Sequence, residues 1–463
     1  MGWWQIAACL ALGLSVALGQ ARAEEIKRPN VLFIAIDDLN DWVSCLGGHP
    51  QVETPNIDRL AKRGVLFSNA HCQAPICNPS RVSLLTGVRP STSGVYDLNQ
   101  PLRRAPALRG AVTLPANFMA SGYHVLGRGK IYHGKPYADE WHDFKVRPDA
   151  RNKQFRVKPI SRLPKIRVRD FGPIDLPEEQ FGDVINARWA AEALKQDFGK
   201  PFFMAVGIRL PHVPLYAPQK YFERHPKKGV MLPRIKPDDL ADLPPAGVAI
   251  TRYMDKTPLN HEAVLKTESW HEAVAAYLAC TEFVDHCVGL MLDSLDKSAH
   301  AKNTLVVLWS DHGWHLGEKR LWAKRSLWEE STRVPMILAG PGLAKGRCGR
   351  PVQLLDLYPT LAELCRLAKP PQTLEGHSLL PLLREPRAPW PHPAITTFQR
   401  NDHAIRTERW RYIRYANGDE ELYDHTTDTE EWHNLAGEMR FRPVITKFRS
   451  YLPKVNATDA PTR

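Results

Sequence analysis

Four short, unbroken apolar runs punctuate the chain: Asn30-Val31-Leu32-Phe33-Ile34-Ala35-Ile36, Pro201 to Ile208, Asn303 to Ser310, and Val334 to Leu338. A strand with one wet face alternates apolar and polar residues. A run without a polar phase fits a strand covered on both faces, as in a parallel α/β sheet. Between these runs, Trp270 to Leu295 carries apolar residues at helical spacing, among them Val274, Tyr277, Leu278, Val284 and Val288. Its His271, His286 and Cys287 read as packing or surface residues. Thr54 to Ala61 reads as a turn into a helix that stops at Gly64, and Gly122 to Gly127 as a turn into a strand. The segment 225–257 is rich in Pro, Lys and Asp without a sustained period. It reads as a long connection, of the kind that rims a site.

Beyond a Pro-rich stretch at 369–393 the period changes to two. Ala404-Ile405-Arg406 and Trp410 to Tyr415 alternate, Asn417-Gly418 marks a hairpin-type turn, and Glu421-Leu422-Tyr423-Asp424 follows. The expected fold is α/β: a large, mostly parallel mixed sheet flanked by helices over 24–370, and a smaller C-terminal subdomain on an antiparallel sheet over 371–463. The first residues read differently. An apolar run from Ile6 to Leu18 precedes the small-x-small site Ala21-Arg22-Ala23, which predicts a signal peptide over 1–23 cleaved near Ala23, although no Lys or Arg precedes the run. That run is short for a bilayer, and no later segment is expected to span one. Export to a periplasmic, secreted or lysosome-like compartment is the expectation.

The chain has 463 residues, too many for one small core, and an ordinary globular composition of 43% hydrophobic and 24% charged residues. Its formal charge of +12 is dispersed, without long Lys/Arg runs or nucleic-acid motifs. This balance favours acidic substrates over nucleic acid. Of 8 cysteines one lies in the leader, so an odd number remains and at least one thiol is unpaired or modified. The spacings suggest no zinc site, and they do not determine disulfide pairing.

Several polar residues sit where this pattern ends strands or opens helices. Cys77 precedes Asn78-Pro79, at the mouth of a helix-like run that ends in Gly87. A dipole end there stabilises an anion, so the thiol reads as either a nucleophile or a buried structural Cys. Asp37-Asp38 closes the first apolar run: a solvated turn, or hard oxygen ligands at a strand's C-terminal end. Lys130 and His133 leave a strand and, taken by themselves, read as plain loop surface. His212 lies between Pro211 and Pro214, which suggests a rigid extended loop. Asp311-His312 ends the third run, and Lys324 follows in Trp322-Ala323-Lys324.

The run from Cys77 to Gly87, Cys-Asn-Pro-Ser-Arg-Val-Ser-Leu-Leu-Thr-Gly, resembles the formylglycine signature of the sulfatases at every fixed position. Thr54-Pro55-Asn56-Ile57-Asp58, Gly129-Lys130-Ile131-Tyr132-His133, Pro211-His212-Val213-Pro214, Ser310-Asp311-His312-Gly313 and Glu421-Leu422-Tyr423-Asp424 are similar to further elements of that family, in the same order. The chain is thus identified as a member of the formylglycine-dependent sulfatases of the alkaline phosphatase superfamily. Asp311-His312 and Trp322-Ala323-Lys324 resemble iduronate-2-sulfatase-like members.

The resemblance implies a sulfuric ester hydrolase acting on a sulfated sugar or polysaccharide. Cys77 would be oxidised to formylglycine by a maturation enzyme, and the hydrate would attack sulfur. Asp37, Asp38, Cys77, Asp311 and His312 would hold one divalent cation, Ca²⁺ in this family, with His312 departing from an all-oxygen set. Arg81 and Lys130 would steady the nucleophile, His133 would take its proton, and His212 and Lys324 would bind sulfate and protonate the leaving oxygen. The competing readings are a phosphatase or phosphonate monoester hydrolase of the same superfamily, and a non-catalytic exported glycan-binding protein whose Cys77 is never converted.

Overall fold

The computed structural model describes residues 28–145, 159–163, 169–253 and 259–462. The expected signal peptide therefore lies outside the described residues. The apolar runs are strands, as expected: β1 is Asn30–Asp37, β5 Phe202–Pro211, β6 Thr304–Ser310 and β7 Met336–Ala339. With β2 (Val65–Phe67), β3 (His124–Gly129), β4 (Asp143–Lys145) and β8 (Gly346–Cys348) they form one eight-stranded sheet. Its order is β8-β2-β7-β6-β1-β5-β3-β4. Only β7 pairs antiparallel with its neighbours in this sheet.

The unbroken apolar character of β1 has a direct cause. Leu32, Ile34 and Ile36 enter one core, while Val31, Phe33 and Ala35 enter the other. Helices α1 (Pro55–Arg63), α3 (Gly182–Ala193) and α5 (Trp270–Lys297) cover the first face. Helices α2 (Cys77–Thr86) and α6 (Leu357–Leu364) cover the second. The α5 helix is long and apolar enough to cross a membrane, against the expectation that no later segment would be, but its apolar stretch is 89% buried inside the fold. A core helix beneath a wide sheet needs the same composition as a spanning one.

The segment 225–257 is not wholly irregular. Its described part contains helix α4, Pro245–Arg252, opened by Pro245. Eight residues are too few for a helical period to stand out in a Pro-rich segment. The C-terminal strands are β9 (Ala394–Thr397), β10 (His403–Arg406), β11 (Trp410–Arg414) and β12 (Glu420–Asp424), an antiparallel sheet in chain order. Buried ion pairs to Glu329 join it to the large sheet's side: Arg411 contacts Glu329, and Arg406 Nε lies 3.2 Å from Glu329 Oε2. All seven described cysteines are unpaired.

Candidate active site

Four adjacent parallel strands deliver their C-terminal residues to one place. β6 supplies Asp311 and His312, β1 supplies Asp37 and Asp38, β5 leads to His212, and β3 leads to Lys130. Ligand groups gather at this end of such sheets because the strands stop and the connecting loops diverge there. Adjacent strand residues ordinarily point to opposite faces. Asp38 escapes this alternation with φ of 65°, a left-handed conformation Asp tolerates better than most residues. Its amide donates to Asp311 Oδ1 at 3.1 Å, and its carbonyl accepts from Tyr277 Oη at 2.8 Å.

Cys77 is the first residue of α2 and is 1% exposed. Its Sγ lies 3.1 Å from Lys324 Nζ, 3.3 Å from His312 Nε2 and 3.9 Å from Asp38 Oδ1. One helical turn on, on the same face, Arg81 reaches back into the cluster. Its Nε donates to Asp311 Oδ2 at 2.8 Å and its Nη2 to Asp37 Oδ1 at 3.3 Å. Its Nη1 donates to the carbonyls of Lys130 at 2.6 Å and Ile131 at 3.2 Å. The guanidinium lies 5.6 Å from the centre of the Trp309 ring. Lys130 Nζ contacts Asp37 Oδ2, and Lys324 Nζ lies 2.6 Å from Asp38 Oδ1.

Lys324 is held by its loop. Ala323 and Arg325 on either side of it both have left-handed φ, of 82° and 80°. Such strain in non-glycine residues collects where a fold fixes a functional group. Gly129, just before Lys130, also has a positive φ, of 82°, and a Cβ there would lie 2.0 Å from Gly207 O on the neighbouring strand. Gly129→Ala should therefore cost roughly 2–4 kcal/mol, combining left-handed strain and overlap. It should also lower turnover, because Lys130 moves with it. Chemical denaturation and kcat check both, and unchanged values would refute this role for the close strand approach.

The charges set each other. Burial alone would raise the Asp37 carboxyl, but Lys130, His212, Arg81 and Lys324 hold it well below the usual carboxylate range. Asp38 goes the other way: burial lifts it to about 7, against the pull of Lys324 and with help from Asp37. Burial would raise the Cys77 thiol too, yet Lys130 and Lys324 bring it well below its ordinary value. The site therefore favours an anion at position 77.

The donor set fits a hard divalent cation. Donor atoms of Asp37, Cys77, Asp311 and His312 lie within 4.8 Å of one another, and so do those of Asp37, Asp38, Cys77 and His212. Asp38 Oδ2 is buried without a hydrogen-bond partner. His312 Nδ1 lies 3.0 Å from Gly313 O, which assigns its proton to Nδ1 and turns the Nε2 lone pair toward Cys77 and Asp38. Three carboxylates and one imidazole suit an oxygen-loving ion.

Nine of the ten residues singled out from the sequence meet here: Asp37, Asp38, Cys77, Arg81, Lys130, His212, Asp311, His312 and Lys324. His133 joins only at a remove. With Asn78, Arg81 and Tyr132 it lines a cavity of about 280 Å³, and its Nδ1 is buried without a partner. His212 is not on an extended loop: its amide donates to Arg209 O at 3.0 Å, closing a turn. Proline restricts the residue before it, here Leu210 and Val213, and leaves His212 free to turn. Sequence reasoning missed the supports. Tyr277 Oη bridges Asp38 O and Asn40 N, Ser80 Oγ donates to Asp311 O at 2.6 Å, and Trp314 lies 5.6 Å from Lys324 Nζ. Ser80 stood inside the Cys77 run, whereas nothing in the sequence distinguished Tyr277 from other helix core residues.

A mostly parallel sheet with anion-stabilising cations and a candidate metal cluster at its strand ends defines a hydrolase of the alkaline phosphatase-like class. The sequence comparisons narrow this. The sulfatase family profile matches residues 29–367, and a profile for the C-terminal region of N-sulphoglucosamine sulphohydrolase matches residues 317–458. A sulfatase of Formosa agariphila is 40% identical over 461 residues, covering 94% of this chain and 88% of the relative. Mouse iduronate 2-sulfatase is 31% identical over 414 residues, covering 79% and 73%. A solved 2-O GAG sulfatase superposes with a TM-score of 0.69 at 25% identity, covering 92% and 91%. The phosphonate monoester hydrolase of Agrobacterium radiobacter has a TM-score of 0.77 at 20% identity, over 91% and 94%, a likeness of fold. The chain belongs to the sulfatase family and is a sulfuric ester hydrolase.

Proposed function

We propose that this sulfatase is exported and removes sulfate from a sulfated sugar or polysaccharide, in the manner of iduronate-2-sulfatase-like enzymes. The observation that carries this reading is the setting of Cys77: a buried helix-mouth position facing Lys324 and His312, beside three carboxylates. A maturation enzyme converts Cys77 to formylglycine, which supplies an aldehyde-hydrate oxygen as nucleophile in place of sulfur. Asp37, Asp38, Asp311, His312 and the modified residue would hold Ca²⁺, which adds positive charge beside the sulfate oxygens. The chain divides at about residue 370 into a catalytic domain and a C-terminal subdomain.

The remaining steps fall to the chain's own groups. Lys130 and Lys324 bring two positive charges to a site that must accept a sulfate monoanion and stabilise it as the bridging S–O bond breaks. Arg81 ties Asp37 and Asp311 together and fixes their geometry. His212 Nδ1 lies 2.7 Å from Val213 O and 3.2 Å from Arg209 Nη2, and the closer contact, to a carbonyl that can only accept, places the ring proton on Nδ1. That leaves Nε2 of the neutral ring without a proton to give, so Lys324 Nζ is the donor to the leaving oxygen, and His212 Nε2 shares that role only as the imidazolium. His133 serves as the acceptor of the nucleophile's proton.

Sulfate and phosphate esters of one alcohol test the reaction class. The sulfate ester should be the better substrate by kcat/KM, and the reverse order would favour the phosphatase reading. Asp37→Ala and Asp311→Ala should each lose bound metal on elemental analysis of the purified protein. Unchanged metal content in both would refute the ligand set.

A further inference from the structure

Lys319 is a lysine that the steps above leave unused, and it is only 2% exposed while its neighbour Arg320 faces solvent. A lysine is seldom buried to that extent unless its charge is paired. Its Nζ donates to Asp239 Oδ1 at 2.9 Å and to Glu431 O at 2.5 Å. The same ammonium lies 5.4 Å from the centre of the Trp328 ring and 5.5 Å from that of Tyr423. Asp239 is buried as well. Three stretches far apart in the chain thus meet on one charge: the loop that holds Lys319, the segment 225–257 through Asp239, and the region after β12 through Glu431.

That loop is the one that carries Lys324. His315–Leu316 pairs antiparallel with Trp322–Ala323, so residues 317–321 form the tip of a small hairpin and Lys324 leaves its return strand. Gly317 N donates to Leu321 O at 2.9 Å and closes the tip. Lys319 and Arg320 follow one another with left-handed φ, of 49° and 56°. Two such residues in succession, neither of them glycine, persist only where the surroundings hold them. Here the hold is the ammonium group, drawn inward to Asp239 and Glu431. Past Lys324 the chain is held again by the same region: Trp328 Nε1 donates to Glu421 Oε2 at 2.8 Å, and Glu329 N to Glu431 Oε2 at 2.9 Å. Glu431 therefore grips the chain on both sides of Lys324, by its carbonyl before it and by its carboxylate after it.

We infer that Lys319 is a positioning residue for sulfate-ester hydrolysis: its buried pair with Asp239 and its bond to Glu431 fix the hairpin that presents Lys324 to the site. Lys319 acts through Lys324 and touches no reacting atom. Lys324 Nζ sits 3.1 Å from Cys77 Sγ and 2.6 Å from Asp38 Oδ1. Displacing such a group by about 1 Å can cost on the order of 10²-fold in rate. The inference rests on the role proposed above for Lys324.

Four full-length proteins test it: the native enzyme, Lys319→Met, Lys324→Ala and the two changes combined, compared by kcat/KM on one sulfate monoester that the native enzyme turns over. Methionine keeps the reach of the side chain and removes its charge. Lys319→Met should lower kcat/KM by on the order of 10- to 100-fold when Lys324 is present, and by less than about threefold when it is already alanine. Equal losses in the two backgrounds would overturn the inference, because a lysine that only supports the fold harms both alike. An unchanged kcat/KM in Lys319→Met would overturn it too. Lys319→Met leaves Asp239 buried without its charge partner; if that protein does not fold, adding Asp239→Asn removes the stranded charge, and the same comparison is made with the neutral pair. A loss below about threefold from Lys324→Ala alone would instead refute the role proposed for Lys324, and the inference would fall with it.

Discussion

Cys77→Ala should lower sulfate-ester turnover by on the order of 10⁴-fold or more, with unfolding stability changed by no more than about 1 kcal/mol. The two expectations follow from different features. Turnover falls because the only group in the cluster placed as a nucleophile is gone, while charge stabilisation by Lys130, Lys324 and Arg81 leaves a residual rate. Stability holds because Sγ fills little volume and its polar contacts are few, at 3.1 Å to Lys324, 3.3 Å to His312 and 3.9 Å to Asp38. Lys324 keeps Asp38 as a partner at 2.6 Å. Steady-state kinetics and denaturant titration read the two effects separately. Turnover within tenfold of the native value would remove Cys77 from the mechanism.

Arg81→Ala should show the opposite balance, losing both activity and about 3–5 kcal/mol of stability. Arg81 is 1% exposed and joins Asp37, Asp311 and the carbonyls of Lys130 and Ile131. Its loss leaves two buried carboxylates short of a charge partner and opens a space beside Trp309. Arg81→Lys should recover less than half of the lost stability, because one ammonium group cannot reach four acceptors spread across a planar fork. Denaturant midpoints of the two variants check this. An Arg81→Ala protein as stable as the native one would show that the carboxylates are held by other means.

Much of this was legible in the sequence, for identifiable reasons. β1, β5 and β6 are apolar throughout because both faces are buried, so length and lack of period marked them. The polar residues that end those strands were candidates for the site, because ligands gather where parallel strands stop. What stayed hidden depends on tertiary contact. The role of Tyr277 exists only because α5 crosses the end of β1, and that of Trp309 only because Arg81 folds over it. The left-handed φ values at Ala323 and Arg325 are imposed by surroundings and have no residue-type signature. Helix α4 was missed because its eight residues sit in a Pro-rich segment.

The central claim is that the site is built around an oxygen nucleophile derived from Cys77. Mass spectrometry of the Cys77 peptide, from a preparation that hydrolyses a sulfate ester, tests it most directly. The account predicts that the CH₂SH side chain is replaced by CHO in the active fraction. An intact Cys77 thiol throughout a fully active preparation would contradict it.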